Sequence, residues 1–427
     1  MVLLLNELLM KLLTSKYSFF SSIRSMFTGT VLAQLFPFLI LPIITRMLGV
    51  EEYGSWALFL SYFSILAVFA TCRYEIAVLT SKFENDSIEL TSLSLAICFF
   101  FCFLFLLPLT LIILFSLEFD SHNWLYFLPF CVFLWGVNST LVNLHSRKQN
   151  FNIVASSKVI HALSFSCIQL ILVWIFKTPL MMVVGFFCGT LISILFLYRY
   201  SDTVIKLINF RNYEKYIPVM RLYSFYPKYN LPSVMMDTLA VYVPLFLISF
   251  LYGPNVFGQF SLVFNTLFAF VGLASRSISQ VFMSEISNEK TTRIEIYNLF
   301  KKLVYFLLFI VFFVSLPIWF HGPVIYSSIF GESWRESGEM AQILVFIFIV
   351  RFTISPVSTV LQALDKHKIA ALWQGAYLAS ISAISFLAIV NNFELIDFLY
   401  TYIITEVILY IVYGYLIWKE MLIYSKS

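Results

Sequence analysis

The chain has 427 residues, of which 60% are hydrophobic and only 12% charged, with a formal net charge of +4. A soluble domain carries about 25% charged residues, so this composition excludes a soluble enzyme and points to an all-α integral membrane protein. Apolar stretches of about 20 residues, the length of one bilayer crossing, recur almost end to end and leave no room for a sizeable soluble domain.

The opening stretch, MVLLLNELLMKLLTSKYSFF, has no basic region ahead of its apolar part and no small-residue cleavage site, so it does not read as a signal peptide. Leu5, Leu8, Leu9, Leu12 and Leu13 recur at helical spacing around Asn6, Glu7 and Lys11. Residues 1–22 are therefore expected to lie as an amphipathic helix on the membrane surface.

Twelve spans follow. They fall at about 23–45, 55–79, 90–116, 124–144, 153–176, 180–198, 229–251, 257–283, 303–320, 341–364, 369–390 and 395–417. Each is expected to be a helix, because a span in lipid must satisfy its own backbone polar groups. With both termini cytoplasmic, only Arg46, Lys177 and Arg335 of the 27 Lys and Arg lie on the opposite side, and Arg73, Lys158, Arg276 and Arg351 lie within spans. All the others fall on the cytoplasmic side, a strong positive-inside asymmetry that the reversed topology would invert. The basic segment 199–228 reads as a linker between an N-lobe (23–198) and a C-lobe (229–418), with residues 419–427 as a cytoplasmic tail. The outer turn at about 321–340, with His321, Glu332, Arg335, Glu336 and Glu339, reads as a solvated loop.

The six cysteines all fall in apolar segments without a CxxC, and the five histidines make no zinc spacing. No metal and no cofactor is expected.

An internal repeat ties the two halves together. The hairpin between spans one and two reads MLGVEEYGSWALF; that between spans seven and eight reads LYGPNVFGQFSLV. Gly49 and Gly253 are each followed by an aromatic residue and a glycine, Tyr53-Gly54 and Phe257-Gly258. Charges keep nearly the same register. Arg24 and Lys228 each precede the first glycine by 25 residues, while Arg73 follows Gly54 by 19 and Arg276 follows Gly258 by 18. Prolines concentrate in the matched spans, at Pro37, Pro42, Pro227, Pro232 and Pro244. Six spans per half give parallel repeats, hence two six-helix lobes with a cleft between them.

A charge held in hydrocarbon costs roughly 2.5–3.5 kcal/mol near the centre of a span, so the intramembrane charges need a reason. Arg73 lies about seven residues, roughly 10 Å, inside span two. Snorkelling accounts for it in part and for Arg24 and Lys228 fully, but not for the recurrence of matched basic pairs. Facing a common axis, Arg24, Arg73, Lys228 and Arg276 would form a cationic clamp suited to a phosphate or pyrophosphate. Arg351 and Glu406 sit near the middle of spans ten and twelve: either they neutralise each other, or Arg351 joins the substrate-binding set. Glu75 and Asp237 could exchange a proton, hold a coupling cation or pair with an arginine.

At this point the pattern resembles a known family. RMLGVEEYGSWALFLSYFSIL, LHSRKQNFNIVASSKVI (144–160), IFGESWRESGEMAQIL (329–344) and VLQALDKHKIAAL (360–372) resemble turns of the Wzx-type polysaccharide and O-antigen flippases. These are the polysaccharide-transporter branch of the multidrug/oligosaccharidyl-lipid/polysaccharide exporter superfamily. The resemblance implies a V-shaped twelve-helix fold, alternating access and a cationic central cavity lined from the helices that carry Arg24, Arg73, Lys228 and Arg276. It implies movement of an undecaprenyl-pyrophosphate-linked oligosaccharide from the cytoplasmic to the outer leaflet of the bacterial inner membrane, without enzymatic chemistry. Membrane lipid is the other expected contact, and a polysaccharide polymerase and a chain-length regulator are candidate protein partners; nucleic acid is not. A multidrug exporter of the same fold, a peptidoglycan-precursor flippase and a membrane saccharide polymerase are the alternatives.

Overall fold

The computed structural model describes residues 33, 35–116, 123–201, 216–286, 292–364 and 366–426, apart from a few side chains within them. The N-terminal amphipathic segment, Arg24 and residues 202–215 of the 199–228 linker lie outside the described residues. Among the described residues every regular element is helical. In chain order these are α1 (Leu35–Met47), α2 (Val50–Phe69), α3 (Tyr74–Thr80), α4 (Glu84–Phe99), α5 (Leu128–Arg147), α6 (Phe151–Phe176), α7 (Pro179–Arg199), α8 (Tyr216–Leu222), α9 (Leu231–Ile286), α10 (Arg293–Phe330), α11 (Arg335–Ile354), α12 (His367–Val390) and α13 (Leu395–Lys426).

Ten described helices are long and apolar enough to cross a membrane, and α1 is a shorter apolar one. The helix α9 turns at Gly253 and so crosses twice, which brings the crossings to the expected twelve. Gly253 takes φ +83°, a left-handed backbone that glycine adopts without a Cβ clash, and Pro254 starts the next helix with its preset φ. The helix α4 continues through a π-helical stretch, Phe100–Leu106, into Leu107–Ser116. Pro108 follows that stretch and lacks the N–H that a regular α-helix would need there.

The two lobes meet where the repeat is written. A Cβ on Gly54 would stand 2.8 Å from the Pro254 carbonyl oxygen and 3.3 Å from Gly258 Cα, and one on Gly258 would overlap the Val50 carbonyl. Val50 and Pro254 hold equivalent repeat positions, so each lobe offers its hairpin glycine to the other lobe's first helical turn. The matched aromatics Tyr53 and Phe257 are each only 1% exposed. Such close backbone approach is open to glycine alone. Gly258→Val should therefore wedge the lobes apart at this end. Spin labels at the exposed, repeat-matched positions Glu51 and Asn255 should report a longer separation; an unchanged distance would mean that the contact is not made in the membrane.

Two expectations about local structure need correction. Span two is not one helix: it breaks over residues 70–73 between α2 and α3, with Cys72 at φ 48° and Arg73 at φ 66°. The stretch 321–340 is not one loop, although His321, Glu332, Arg335, Glu336 and Glu339 are all exposed as expected. The helix α10 bends at His321 and runs on to Phe330, Gly331 (φ +116°) makes the turn, and α11 starts at Arg335. Gly322 and Gly338 pack backbone to backbone, which brings the two helices together there.

Trp334, within that supposed loop, is fully buried. It donates its indole N–H to the Thr45 carbonyl at 3.0 Å and packs edge-on against Tyr53 at 5.3 Å. Asn265 donates to the Tyr53 hydroxyl at 3.1 Å. Arg46, at the end of α1, donates to the carbonyls of Ile329 at 3.1 Å and Ser328 at 2.5 Å. A cation on the last carbonyls of a helix complements its macrodipole, and here cation and helix belong to opposite lobes. This end of the bundle, with the Gly49 and Gly253 turns, is closed.

Candidate functional site

At the opposite end of the bundle, the break in span two aims Arg73 away from the helix axis. Two consecutive non-glycine residues at positive φ are unfavourable by about 1 kcal/mol or more each, so contacts must hold them. Thr71 donates its hydroxyl to the Glu75 carboxylate. Arg73 forms a 3.1 Å ion pair with the other Glu75 oxygen, its side chain 23% exposed and that of Glu75 only 6%. Arg73 Nε also donates to the Asn230 side-chain oxygen at 3.0 Å. Glu75 is therefore paired one to one with Arg73, but the 23% exposure of Arg73 leaves part of its guanidinium accessible, and Asn230 ties Arg73 to the C-lobe.

Asn230 closes a π-helical turn, Tyr226–Asn230, that opens span seven and contains Lys228, which is exposed. Among the described residues Lys228 makes no ion pair. Two turns further, about 10 Å along the helix, comes Asp237. Its carboxylate accepts from Gln374 Nε2 at 2.9 Å, and Gln374 in turn accepts from Ser233 at 3.0 Å. Asp237 remains exposed. An exposed carboxylate is far less costly facing a wet cleft than hydrocarbon.

Spans two and seven keep contact beyond this point. Tyr242 donates to Ser64 at 2.8 Å, and the rings of Tyr62 and Phe246 lie 4.9 Å apart. On the other side of the cleft, Phe38 of α1 meets Phe270 of α9 edge-on at 5.2 Å.

Arg351 and Glu406 do something different. Arg351 binds Glu406 through both Nε (3.1 Å) and an Nη (2.7 Å), and Tyr377 hydrogen-bonds to both side chains. Phe268 and Tyr410 cover the guanidinium at 4.8 and 5.3 Å. Arg351 is 6% exposed and Glu406 fully buried. A cation enclosed in this way has neither room nor free charge for a substrate, so the placement of Arg351 in the binding set gives way to a charge pair within the C-lobe.

The side chain of Arg276, like Arg24, lies outside what the structure describes. Its backbone runs on in unbroken helix, so the left-handed break at Arg73 has no counterpart in the other repeat. Thus the structure brings Arg73, Glu75 and Asn230 together, places Lys228 and Asp237 on the same stretch of span seven, and buries Arg351 and Glu406 against each other. Sequence reasoning missed Asn230, Asn265, Arg46 and Trp334. A tryptophan inside a charged turn was the one visible signal among them.

Residues 20–226 match the family described as polysaccharide biosynthesis protein. No curated protein matches the chain significantly in sequence. Several solved structures share its fold. A multidrug resistance MATE family transporter of the MOP superfamily, in an inward-facing conformation, superposes with a TM-score of 0.72 at 12% identity, covering 92% of this chain and 96% of its own. An outward-facing structure of such a transporter gives 0.63 at 11% identity, with coverages of 95% and 96%. A MOP superfamily transporter from Pyrococcus furiosus gives 0.61 at 11%, with 95% of each chain covered. These neighbours are transporters and not enzymes. Sequence and fold are compatible: this is a multi-pass membrane protein of two six-helix lobes that shares the fold of these transporters and, over residues 20–226, matches the family described as polysaccharide biosynthesis protein.

Proposed function

We propose that the protein is a flippase that carries a polyprenyl-pyrophosphate-linked oligosaccharide across the bacterial inner membrane by alternating access. The observation that carries this reading is Arg73, a cation held at the break in span two and tied through Asn230 to the opposite lobe. A sugar-diphosphate head meets a large desolvation barrier in hydrocarbon, and fixed cations in a wet cleft lower it. The match of residues 20–226 to polysaccharide biosynthesis proteins supports a saccharide cargo. In this reading Arg73, Lys228, Arg276 and Arg24 meet the diphosphate, and Arg351 does not.

With the topology inferred from the loop charges, the closed end faces outward. The contacts of Arg46, Trp334, Gly54 and Gly258 then form an outer gate, shut in this state. The higher TM-score against the inward-facing neighbour supports this.

The test is reconstitution: wild-type protein in proteoliposomes should expose a lipid-linked oligosaccharide on the far leaflet. Efflux of cationic drugs without such exposure would favour a multidrug exporter of the same fold instead. Asp237 is assigned the coupling proton, since it is exposed, carries no ion pair among the described residues and sits on span seven above Asn230. Asp237→Asn should leave a residual transport rate that no longer responds to an imposed pH gradient. Continued response in that variant would remove Asp237 from the coupling path.

A further inference from the structure

Where the diphosphate first docks is a separate question, because the head of a membrane lipid lies in the interfacial layer and not about 10 Å inside the hydrocarbon, where Arg73 is placed. Resting on the flippase reading above, we infer that a cavity at the linker end of the N-lobe is a loading site for the phosphate or diphosphate head of a lipid. The cavity, about 430 Å³, lies where α3 and α5 end and α4 begins, so at the depth where spans two and four leave the bilayer. Three cations line it, Lys82, Arg147 and Lys148, against one acid, Glu84, with Ile88 and Leu144 among its apolar walls. Charged rim and apolar wall together suit a phosphate esterified to a hydrocarbon chain.

The site is built rather than incidental. Arg147 donates to the Ser81 carbonyl, which fixes the guanidinium at the cavity and leaves its other N–H groups free to donate. The loop carrying Lys82 is held by Tyr223, which accepts from the Lys82 backbone N–H at 3.3 Å and donates to Asp86 at 2.9 Å. Tyr223 belongs to the segment that leads into span seven, and Thr80 and Tyr226 hydrogen-bond at 2.5 Å beside it. A head group in the cavity is thus one short helix, α3, from Arg73. Eight residues separate Arg73 from Ser81, about 12 Å. The same short segment that braces the cavity runs on to Lys228 and Asn230, so loading and transfer share one piece of chain.

The experiment uses the full chain in detergent and in nanodiscs, with farnesyl diphosphate as probe. Wild type should bind it, and Lys82→Gln with Lys148→Gln should weaken binding roughly tenfold or more, an effect that shrinks as salt rises. Both lysines are exposed and their side chains make no ion pair among the described residues, so the variant tests charge without disturbing the fold; Arg147→Gln should weaken binding at least as much. Equal affinity in wild type and the lysine variant would overturn the loading site. Competition by inorganic pyrophosphate as strong as by the prenyl ester would also overturn it in favour of a free-diphosphate site, as would full competition by phosphatidylglycerol nanodiscs in favour of a structural phospholipid. Binding that is retained by a wild-type protein unable to expose lipid-linked oligosaccharide would instead defeat the flippase reading and leave the cavity standing.

Discussion

Arg73→Ala is expected to reduce outward exposure of lipid-linked oligosaccharide in proteoliposomes by about 10- to 100-fold, the effect of removing one charge-assisted contact of about 1.5–3 kcal/mol. Combined with Arg276→Ala it should bring transport to background. Lysine at either position should restore part of the rate, since charge survives but the planar, bidentate fork does not. Arg73 is also the partner of Glu75 and Asn230, so Arg73→Ala leaves a buried carboxylate without its cation. Arg73→Ala with Glu75→Gln separates the two contributions. If the loss reflects only the stranded acid, the double variant transports like wild type. If it reflects the head-group contact, transport stays low. Wild-type transport by the Arg73→Ala, Arg276→Ala protein would remove the clamp altogether and return Arg73 to the role of a snorkelling, lobe-bridging anchor.

The second large effect concerns stability. Removing one partner of a buried ion pair costs about 3–5 kcal/mol, because the other charge stays buried alone. Arg351→Met should therefore lower the melting temperature of the detergent-solubilised protein sharply. Glu406→Gln should do likewise, leaving Arg351 beneath Phe268 and Tyr410 without its countercharge. Replacing both, as Arg351→Met with Glu406→Leu, should recover most of the loss, since a well-packed apolar pair is often as stable as the ion pair it replaces. Tyr377, which hydrogen-bonds to both charged groups, would then be left with an unpartnered hydroxyl, so recovery should be more complete with Tyr377→Phe added. A protein carrying Arg351→Met that keeps its melting temperature but loses transport would put Arg351 back among the substrate-binding residues.

Much of the architecture is legible in the chain itself. Membrane insertion, helical class and twelve crossings follow from apolar length, because hydrocarbon imposes that choice on any chain of this composition. The two-lobe organisation follows from the Gly49/Gly253 repeat, which recurs in register because equivalent turns face equivalent constraints. Candidate basic residues stood out because charge within an apolar span is costly and therefore needs an account.

What those residues touch was decided by tertiary structure. The segment ATCRYE contains neither glycine nor proline, so nothing local announces the break at 70–73. Partners do that work: Thr71 and Arg73 on Glu75, and Asn230 from 157 positions further along the chain. Likewise Arg351 and Glu406, 55 positions apart, could have faced the cleft or each other, and only helix rotation within the C-lobe turns them inward. Gly54 and Gly258 are visible as a repeat, yet that they press on each other's lobes depends on how the two helix bundles dock. Periodicity along one helix determines which of its faces is apolar; which neighbour that face meets is set by packing between segments distant in sequence.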